Sequence, residues 1–557
     1  MYVRRIQLRN GSKPYTYVKV VESVRVNGRP VQKTVLNLGN AELWPDERIA
    51  KLSRLLREFV GLEADDAKAL RLENVKIEDP RELGPYLPLV KIWDDLHLDA
   101  ILDRQLKHVK LGAIARDCIK VMVLTRLVKP LSKRAVCDFA SEKAHIPGVD
   151  AQTLPQYMYY RALSLLSGVQ NEVEKALHHQ ATNLFNRDIS LVFYDLTSSY
   201  FEGTHCKMAK RGYSREHRPD LAQIEIGLMV DSEGLPIGHQ VYEGNVNDVC
   251  TVIGTLDRLK KTFGICRCVL ISDDGMASKA NLEAIANQGY EFITSLSLGR
   301  SKIADQLLAA HRTARYWDRI SGSSLRMKVL QKDDGERSYV GTYNPERARA
   351  SRQTRRKQYN TCREGLVALN APPKPRAKAP TAEGRLKAAD KLLLRYHARS
   401  MFIVTTTDDG LLKWTLDRKA VRKMGSQDGI LVLVTNSKTL TPEEVAHGYR
   451  TLWRVENAFR HMKGDIGLRP IRHWKDTRVL GHVSVCVLAY LIDCIYDRHL
   501  QKAGLNVSTH TALGELSKII TATLVCDDER LRRRSEITSQ QKKLLNAAGV
   551  TNVPEIW

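Results

Sequence analysis

The stretch ISLVFYDLTSSYFEG, residues 189–203, decides how the chain is to be read. Its apolar run Leu191–Tyr194 has the length and side-chain content of a buried strand, and the run ends on an acid, Asp195. A carboxylate at the carboxyl edge of such a strand stands where α/β sheets place their ligands. A second stretch has the same form: CRCVLISDDGM, residues 266–276, ends its apolar run on Asp273, beside Asp274 and Gly275. A third acid, Glu456, lies in YRTLWRVENAFRHMK, residues 449–463, where the apolar spacing is helical. Taken singly, each has a plain structural reading. An Asp at a strand end caps a turn, and a Glu on an amphipathic helix faces solvent.

Outward from Asp195, AQIEIGLMVDSEGLPIGHQVYEGN (222–245) reads as a hairpin turning at Ser232–Gly234. DVCTVIGTLDRLKKTFG (248–264) and SKANLEAIANQG (278–289) read as helices, and YEFITSLSL (290–298) as a strand. Three early strands followed by alternating helix and strand predict an α/β fold whose catalytic core is a mixed sheet with ribonuclease-H-like rhythm. Residues 300–440 carry the strand-like runs SLRMKVLQK, RSYVGTYN, MFIVTTTDD and GILVLVTN, so a β-rich insertion is expected there. Within it, the segment 347–395 includes RASRQTRRKQYN and PPKPRAKAP and carries about ten net positive charges. That composition suits either nucleic-acid contact or a solvated linker.

Before the core, YVKVVESVRV and PVQKTVLNL flank Asn27–Gly28, a strong hairpin signal. PDERIAKLSRLLREFVG (45–61) then places Ile49, Leu52, Leu55, Leu56 and Phe59 on one helical face. Residues 88–186 are helical in pattern throughout and could serve as a duplex-binding domain or as a packing module. The division expected is a hairpin-plus-helix segment at 1–87, this mainly helical domain at 88–186, and the first part of the core at 187–299. The insertion at 300–440, a catalytic helix closing the core at 441–500 and a helical C-terminal tail at 501–557 complete it.

The 557 residues carry a formal net charge of +24, which favours a polyanionic partner through phosphate neutralisation and counterion release. Ten cysteines occur without any C-x-x-C or zinc-site spacing, and they read as reduced and mostly buried. The N-terminus lacks an apolar signal core, and the most apolar stretch, VSVCVLAYLIDCIY, is broken by Asp493 and reads as too short to span a bilayer. A soluble, cytoplasmic protein, associated with the nucleoid through DNA, is expected.

On the helical stretch from Thr441, Tyr449, Glu456 and Lys463 are spaced by seven and so share one face, with Arg460 a turn beyond Glu456. An acid flanked by cations and a phenol makes a poor core face but suits a metal-bound phosphate. Trp453 and Phe459 point elsewhere; Trp453 could dock the helix or stack on a base. Phosphodiester chemistry needs an activated oxygen nucleophile and stabilisation of the leaving 3′ oxygen. Two Mg²⁺ ions roughly 4 Å apart supply both, and clustered carboxylates supply their hard oxygen ligands.

These boxes resemble those of DDE-type insertion-sequence transposases of the insertion-sequence-four superfamily, in the branch with an N-terminal β-hairpin segment. YDLT matches the family's first Asp at Asp195. ISDDGMASKANL is similar to its second box, which selects Asp273 over Asp274 and includes Gly275 and Asn281. HQVYEGNVND resembles the glycine–asparagine box, at Gly244, Asn245 and Asp248. Tyr449, Glu456 and Lys463 fit the Tyr-x2-Arg-x3-Glu-x6-Lys signature, whereas its arginine position holds Leu452. The resemblance implies a transposase of a bacterial insertion sequence that binds the inverted-repeat ends of its element, cuts there, and joins the freed 3′-OH to target DNA. It implies Asp195, Asp273 and Glu456 as catalytic metal ligands for Mg²⁺, with Mn²⁺ able to replace it. Tyr449, Arg450, Trp453, Arg454, Arg460 and Lys463 would be the DNA contacts, and a homodimer would synapse two ends. A non-catalytic DNA-binding relative of the same fold, or a stand-alone nuclease, are the rival readings.

Overall fold

The alternation of the first forty residues becomes a three-stranded antiparallel sheet of Tyr2–Asn10, Lys13–Val26 and Arg29–Asn40, with the middle strand central. The computed structural model describes residues 2–556 other than 11–12, 27–28, 41–47, 49–75, 186–189, 203–204, 213, 216–217, 247, 267, 274–276, 300, 310–316, 321–324, 331–335, 373–379 and 527–528. The Asn27–Gly28 turn, the helix expected at 45–61, Asp274 and Gly275 therefore lie outside the described residues. The chain divides into two units: residues 1–78 with 523–533, and residues 79–522 with 534–557.

The larger unit is built on a nine-stranded mixed sheet. Its strands are β1 (Leu191–Tyr200), β2 (Gln223–Asp231), β3 (Pro236–Glu243), β4 (Val269–Ser272), β5 (Glu291–Leu296), β6 (Asp318–Arg319), β7 (Arg326–Leu330), β8 (Ser338–Tyr343) and β9 (Ile430–Thr435). They lie in the order β6-β7-β8-β9-β5-β4-β1-β2-β3. β1, β4 and β5 run parallel, while β2 and β3 return antiparallel through a hairpin. Apolar side chains fill both faces of β1: Phe193 packs into one core and Val192, Tyr194 and Leu196 into the other. The run of consecutive apolar residues before Asp195 reflects this two-sided burial.

Residues 86–185 form six helices, as their pattern predicts: Tyr86–Asp95, Leu98–Leu106, Gly112–Val128, Lys133–Glu142, Gln156–Gly168 and Gln170–Phe185. Three of them, Tyr86–Asp95, Gly112–Val128 and Gln156–Gly168, pack against Asp476–Lys502, a helix of 27 residues. The apolar stretch within 483–496 thus belongs to a longer element than its sequence suggested. By length and hydropathy alone it could cross a membrane, but 83% of its most apolar window is buried inside the fold, so it serves as a core helix. Gly481 lets it approach its neighbour, since a Cβ there would come within 2.0 Å of the Leu163 carbonyl oxygen.

Two expectations are corrected. The insertion is not β-rich as a body: four of its strands, β6 to β9, extend the central sheet, and the rest is largely helical. Helices Pro345–Leu369, Ala382–Arg395 and Arg418–Gln427 surround the hairpin of Phe402–Thr406 and Leu412–Leu416. Their small core of Cys362, Leu366, Ala389, Leu393, Met401, Phe402 and Leu412 is diluted in sequence by the basic run, which hid its helical period. The C-terminal tail is not purely helical either. Strands Ile520–Cys526 and Glu529–Arg534 lie between helices Thr509–Leu516 and Ser539–Ala547, with β-branched Ile520, Thr521, Thr523 and Val525 favouring the extended form.

Candidate active site

β1 and β4 pair in parallel with Leu191 opposite Val269 and Phe193 opposite Ile271. Continuing that register by two residues sets Asp195 and Asp273 level on neighbouring chains, about 4.8 Å being the usual strand separation. Asp195 does not end its strand, contrary to the expectation. β1 continues to Tyr200 because β2 keeps pairing with it, Asp195 lying opposite Leu228. The strand end at this point belongs to β4, whose last residue is Ser272. Asp273 is held just beyond it, its carbonyl accepting a 2.9 Å hydrogen bond from Thr294 Oγ1 on β5.

The electrostatics bring the third acid into the same site. Burial pushes the Asp195 carboxyl up from 3.8 to about 7, and the negative charges of Asp273 and, less strongly, Glu456 push in the same direction. The Leu196 N–H, donating over 2.8 Å to Asp195 Oδ1, and the charge of Arg215 oppose the shift. Glu456 is exposed at the surface of its helix. Among the described residues, no three His, Cys, Asp or Glu side chains are gathered closely enough to hold one ion. Asp195 thus feels the charge of both other acids.

The helical stretch that carries Glu456 is two helices, Pro442–Arg450 and Trp453–Lys463, rather than one. Thr441 and Glu444 form the expected capping box. At the junction the bonding tightens to i→i−3, with N–H groups of Leu452, Arg454 and Val455 donating to the carbonyls of Tyr449, Thr451 and Leu452. The seven-residue period therefore does not run along a single straight face. Tyr449 Oη donates to Ser295 Oγ on β5 over 2.9 Å, whereas Lys463 Nζ donates to Thr197 Oγ1 on β1 over 2.5 Å. The two contacts carry the stretch across the sheet from β5 to β1, with β4 between them and Glu456 midway. Thr197 is two residues beyond Asp195 and so on the same side of the strand.

The remaining expected DNA contacts are spread around this helix. Arg454 donates to the Ser232 carbonyl in the β2–β3 turn, which ties it to the fold, and Arg460 donates to Asn457 Oδ1 over 2.7 Å. Arg450 is exposed and Trp453 is 51% exposed. Leu452 is buried, at 6% exposure, among core side chains. On the back of the helix, His461 lies 2.9 Å from Asp493 and 2.8 Å from Asp465. Burial lowers its pKa, but hydrogen bonds and charge from these two acids outweigh that and raise it. Asp493, the acid that interrupts the apolar run of the core helix, thereby finds its partner.

Sequence reading missed Arg215. It lies in the connection between β1 and β2, with its N–H donating to Ser198 Oγ over 3.1 Å and Nη1 to the buried Glu225 over 2.6 Å. No local pattern marks it, because only the fold brings that connection beside Asp195. The glycine–asparagine box has a structural side: a Cβ on Gly244 would lie 2.0 Å from the Gln223 carbonyl oxygen and 2.6 Å from that of Lys210. Asn281 is buried near the start of helix Lys279–Asn287, capped by Ser278.

Comparison with known families gives two matches. Residues 186–492, more than half of the chain, match the model described as "Transposase DDE domain", and residues 3–63 match that of "IS1634 family transposase, N-terminal domain". Among solved structures, the chain is similar to a piggyBac transposase in a cryo-EM synaptic complex with hairpin DNA. The identity is 11% and the TM-score 0.38, over 78% of this chain and 79% of that one. A search of curated proteins finds no match.

Proposed function

The chain belongs to the DDE transposases, with the N-terminal domain of the IS1634 family, and on that premise we propose that Asp195, Asp273 and Glu456 are its catalytic triad. The observation that carries this reading is the shared field of the three acids, with Asp195 and Asp273 level on parallel strands. The block β3-β2-β1-β4-β5 has the strand order of a ribonuclease-H-like core, which supports the assignment. Carboxylates that hold one another's charge in check are the donors a hard divalent cation requires, so the residues fit Mg²⁺, with Mn²⁺ able to replace it. When bound, two such ions would polarise the attacking oxygen and neutralise the departing one.

The substrate is the DNA at the ends of the insertion sequence that encodes the protein. A water oxygen attacks phosphorus, the bond to the 3′ oxygen breaks, and that oxygen leaves as a 3′-OH. The same 3′-OH then attacks a target phosphodiester, displacing its 3′ oxygen in turn. Lys463, held at Thr197, brings a cation to the side of β1 that carries Asp195, where it would pair with a phosphate oxygen near the cut. Arg215, paired with Glu225, adds a positive charge that favours the ionised form of Asp195. Tyr449 steadies the entry to the Glu456 helix through Ser295, and Arg450, Trp453, Arg454 and Arg460 border it. The helical domain at 88–186 would contribute further duplex contacts, and two copies would be needed to pair two ends.

Cleavage of a supercoiled plasmid carrying the element's ends, in Mg²⁺, tests the assignment. Asp195→Asn, Asp273→Asn and Glu456→Gln are each expected to abolish cleavage while leaving end binding intact. Undiminished cleavage by any one of them would remove that residue from the triad. Offering pre-cut ends separates transposase from nuclease: joined products are expected, and nicking alone would leave only the nuclease.

A further inference from the structure

The helix Pro345–Leu369 carries seven arginines and lysines against two glutamates, the largest net positive charge of any described element. It starts on Asn344, whose side chain accepts from the N–H groups of Glu346 and Arg347, with Pro345 at the first helical position. Its inner side is fixed. Ala348, Cys362 and Leu366 are buried, the Tyr359 ring stacks on Phe402 at 5.4 Å, and Arg355 makes a two-pronged ion pair with the buried Asp428.

That anchoring determines what faces outward. At 100° per residue, Arg349, Arg352, Arg356 and Arg363 fall within one narrow stripe, with Gln353 and Asn360 beside them. All six are exposed. The row runs for about 21 Å along the axis, at 1.5 Å per residue. Arg352 also lies 3.9 Å from Asp428 yet is 59% exposed. For Arg352, Arg356 and Arg363, no acid occupies any position three or four residues away, whereas a helix made merely soluble alternates charge signs at those spacings. Like charges so placed repel, so the helix bears a cost that an external anion would remove.

We propose that this arginine stripe is a docking surface for the phosphate backbone of duplex DNA, separate from the acid site. The inference rests on the functional reading above and assigns the basic insertion a task within it: gripping the duplex. Arginine forks suit phosphate oxygens, and amide side chains interleaved in the row can donate to them as well. Such contacts position the duplex and carry no sequence information.

Binding of the full-length protein to a 40-base-pair duplex of arbitrary sequence, measured across a salt series, tests this. Four lost phosphate contacts should flatten the slope of log K against log salt by about 3 to 4, and weaken binding about tenfold or more at low salt. Substituting all four arginines with alanine should produce both changes, while substituting all four with lysine should keep most of the slope. Circular dichroism of each variant reports whether the helix persists. A folded alanine variant with unchanged slope and affinity would overturn the stripe. A wild-type chain that binds no duplex would overturn the functional reading itself.

Discussion

Asp195→Asn should make the protein more stable while making it inactive. The carboxyl is raised from 3.8 to about 7, chiefly by burial and then by Asp273. At 1.36 kcal/mol per unit, keeping Asp195 ionised costs the fold at most about 4 kcal/mol. The sign follows from linkage. Between pH 4 and pH 7 the folded chain retains a proton that the unfolded chain has lost, so wild-type stability falls as pH rises through that window. Asparagine cannot ionise and escapes the penalty. The advantage of the variant should therefore grow by up to about 2.6 kcal/mol from pH 5 to pH 8. Thermal unfolding at the two pH values, in a chelator and in parallel with the plasmid assay, measures it. A variant less stable than wild type at pH 8, or a gap that does not widen between pH 5 and pH 8, would refute the idea of a repelled, buried acid. Added Mg²⁺ should raise the wild-type midpoint and leave that of the variant nearly unmoved.

Other perturbations have equally definite outcomes. Glu174 is buried between His239, 2.5 Å away, and Arg258, in a network joining helix Gln170–Phe185 to the sheet. Glu174→Gln should cost about 3 to 5 kcal/mol in chemical denaturation, because Arg258 is left buried without its counter-charge. Leu452→Arg, which restores the family's residue in sequence, should not improve cleavage. It places a charge in the core, with a loss of about 3 kcal/mol or more in unfolding free energy, whereas Leu452→Met should cost under about 1.5. Lys133 is fully buried, its Nζ has no hydrogen-bond partner among the described residues, and burial holds its pKa well below 10.5. Because burial lowers the folded pKa, the unfolded chain holds this proton more tightly than the folded chain, so wild-type stability rises with pH until both are deprotonated. Lys133→Met should thus stabilise by about 1 to 3 kcal/mol at neutral pH, with the gain shrinking as pH approaches 10.

Much of the core was legible because burial on both faces leaves consecutive apolar residues, and these marked β1, β4, β5 and β9 in the sequence. What sequence could not supply was anything set by tertiary pairing. The apolar run stops at Asp195 and so marks a strand end there, but β2 carries the ladder five residues further. The single helix expected from Thr441 breaks at Thr451–Leu452, where Tyr449 is bound to β5 and the following helix leans toward β1. The helices of the insertion were masked by arginines on their outer faces, since a small core needs few apolar positions. Arg215 and Thr197 gain their roles only by proximity.

The strands β6 to β9 and the helical body between them separate Asp273 from Glu456 in the chain, and β9, paired with β5, immediately precedes the stretch whose second helix carries Glu456. This fixes a schedule for synthesis. A nascent chain that has emerged only as far as β5 carries two of the acids on an unfinished sheet and lacks the third. On the proposed triad, a fragment released at that point would lack one of the three acids, and the capacity to cut would appear only once the chain beyond the insertion has been made. On the same assignment, a frameshift anywhere before Glu456 would remove the third acid however well the N-terminal part folds, so the interrupted core would make intact translation a condition of activity.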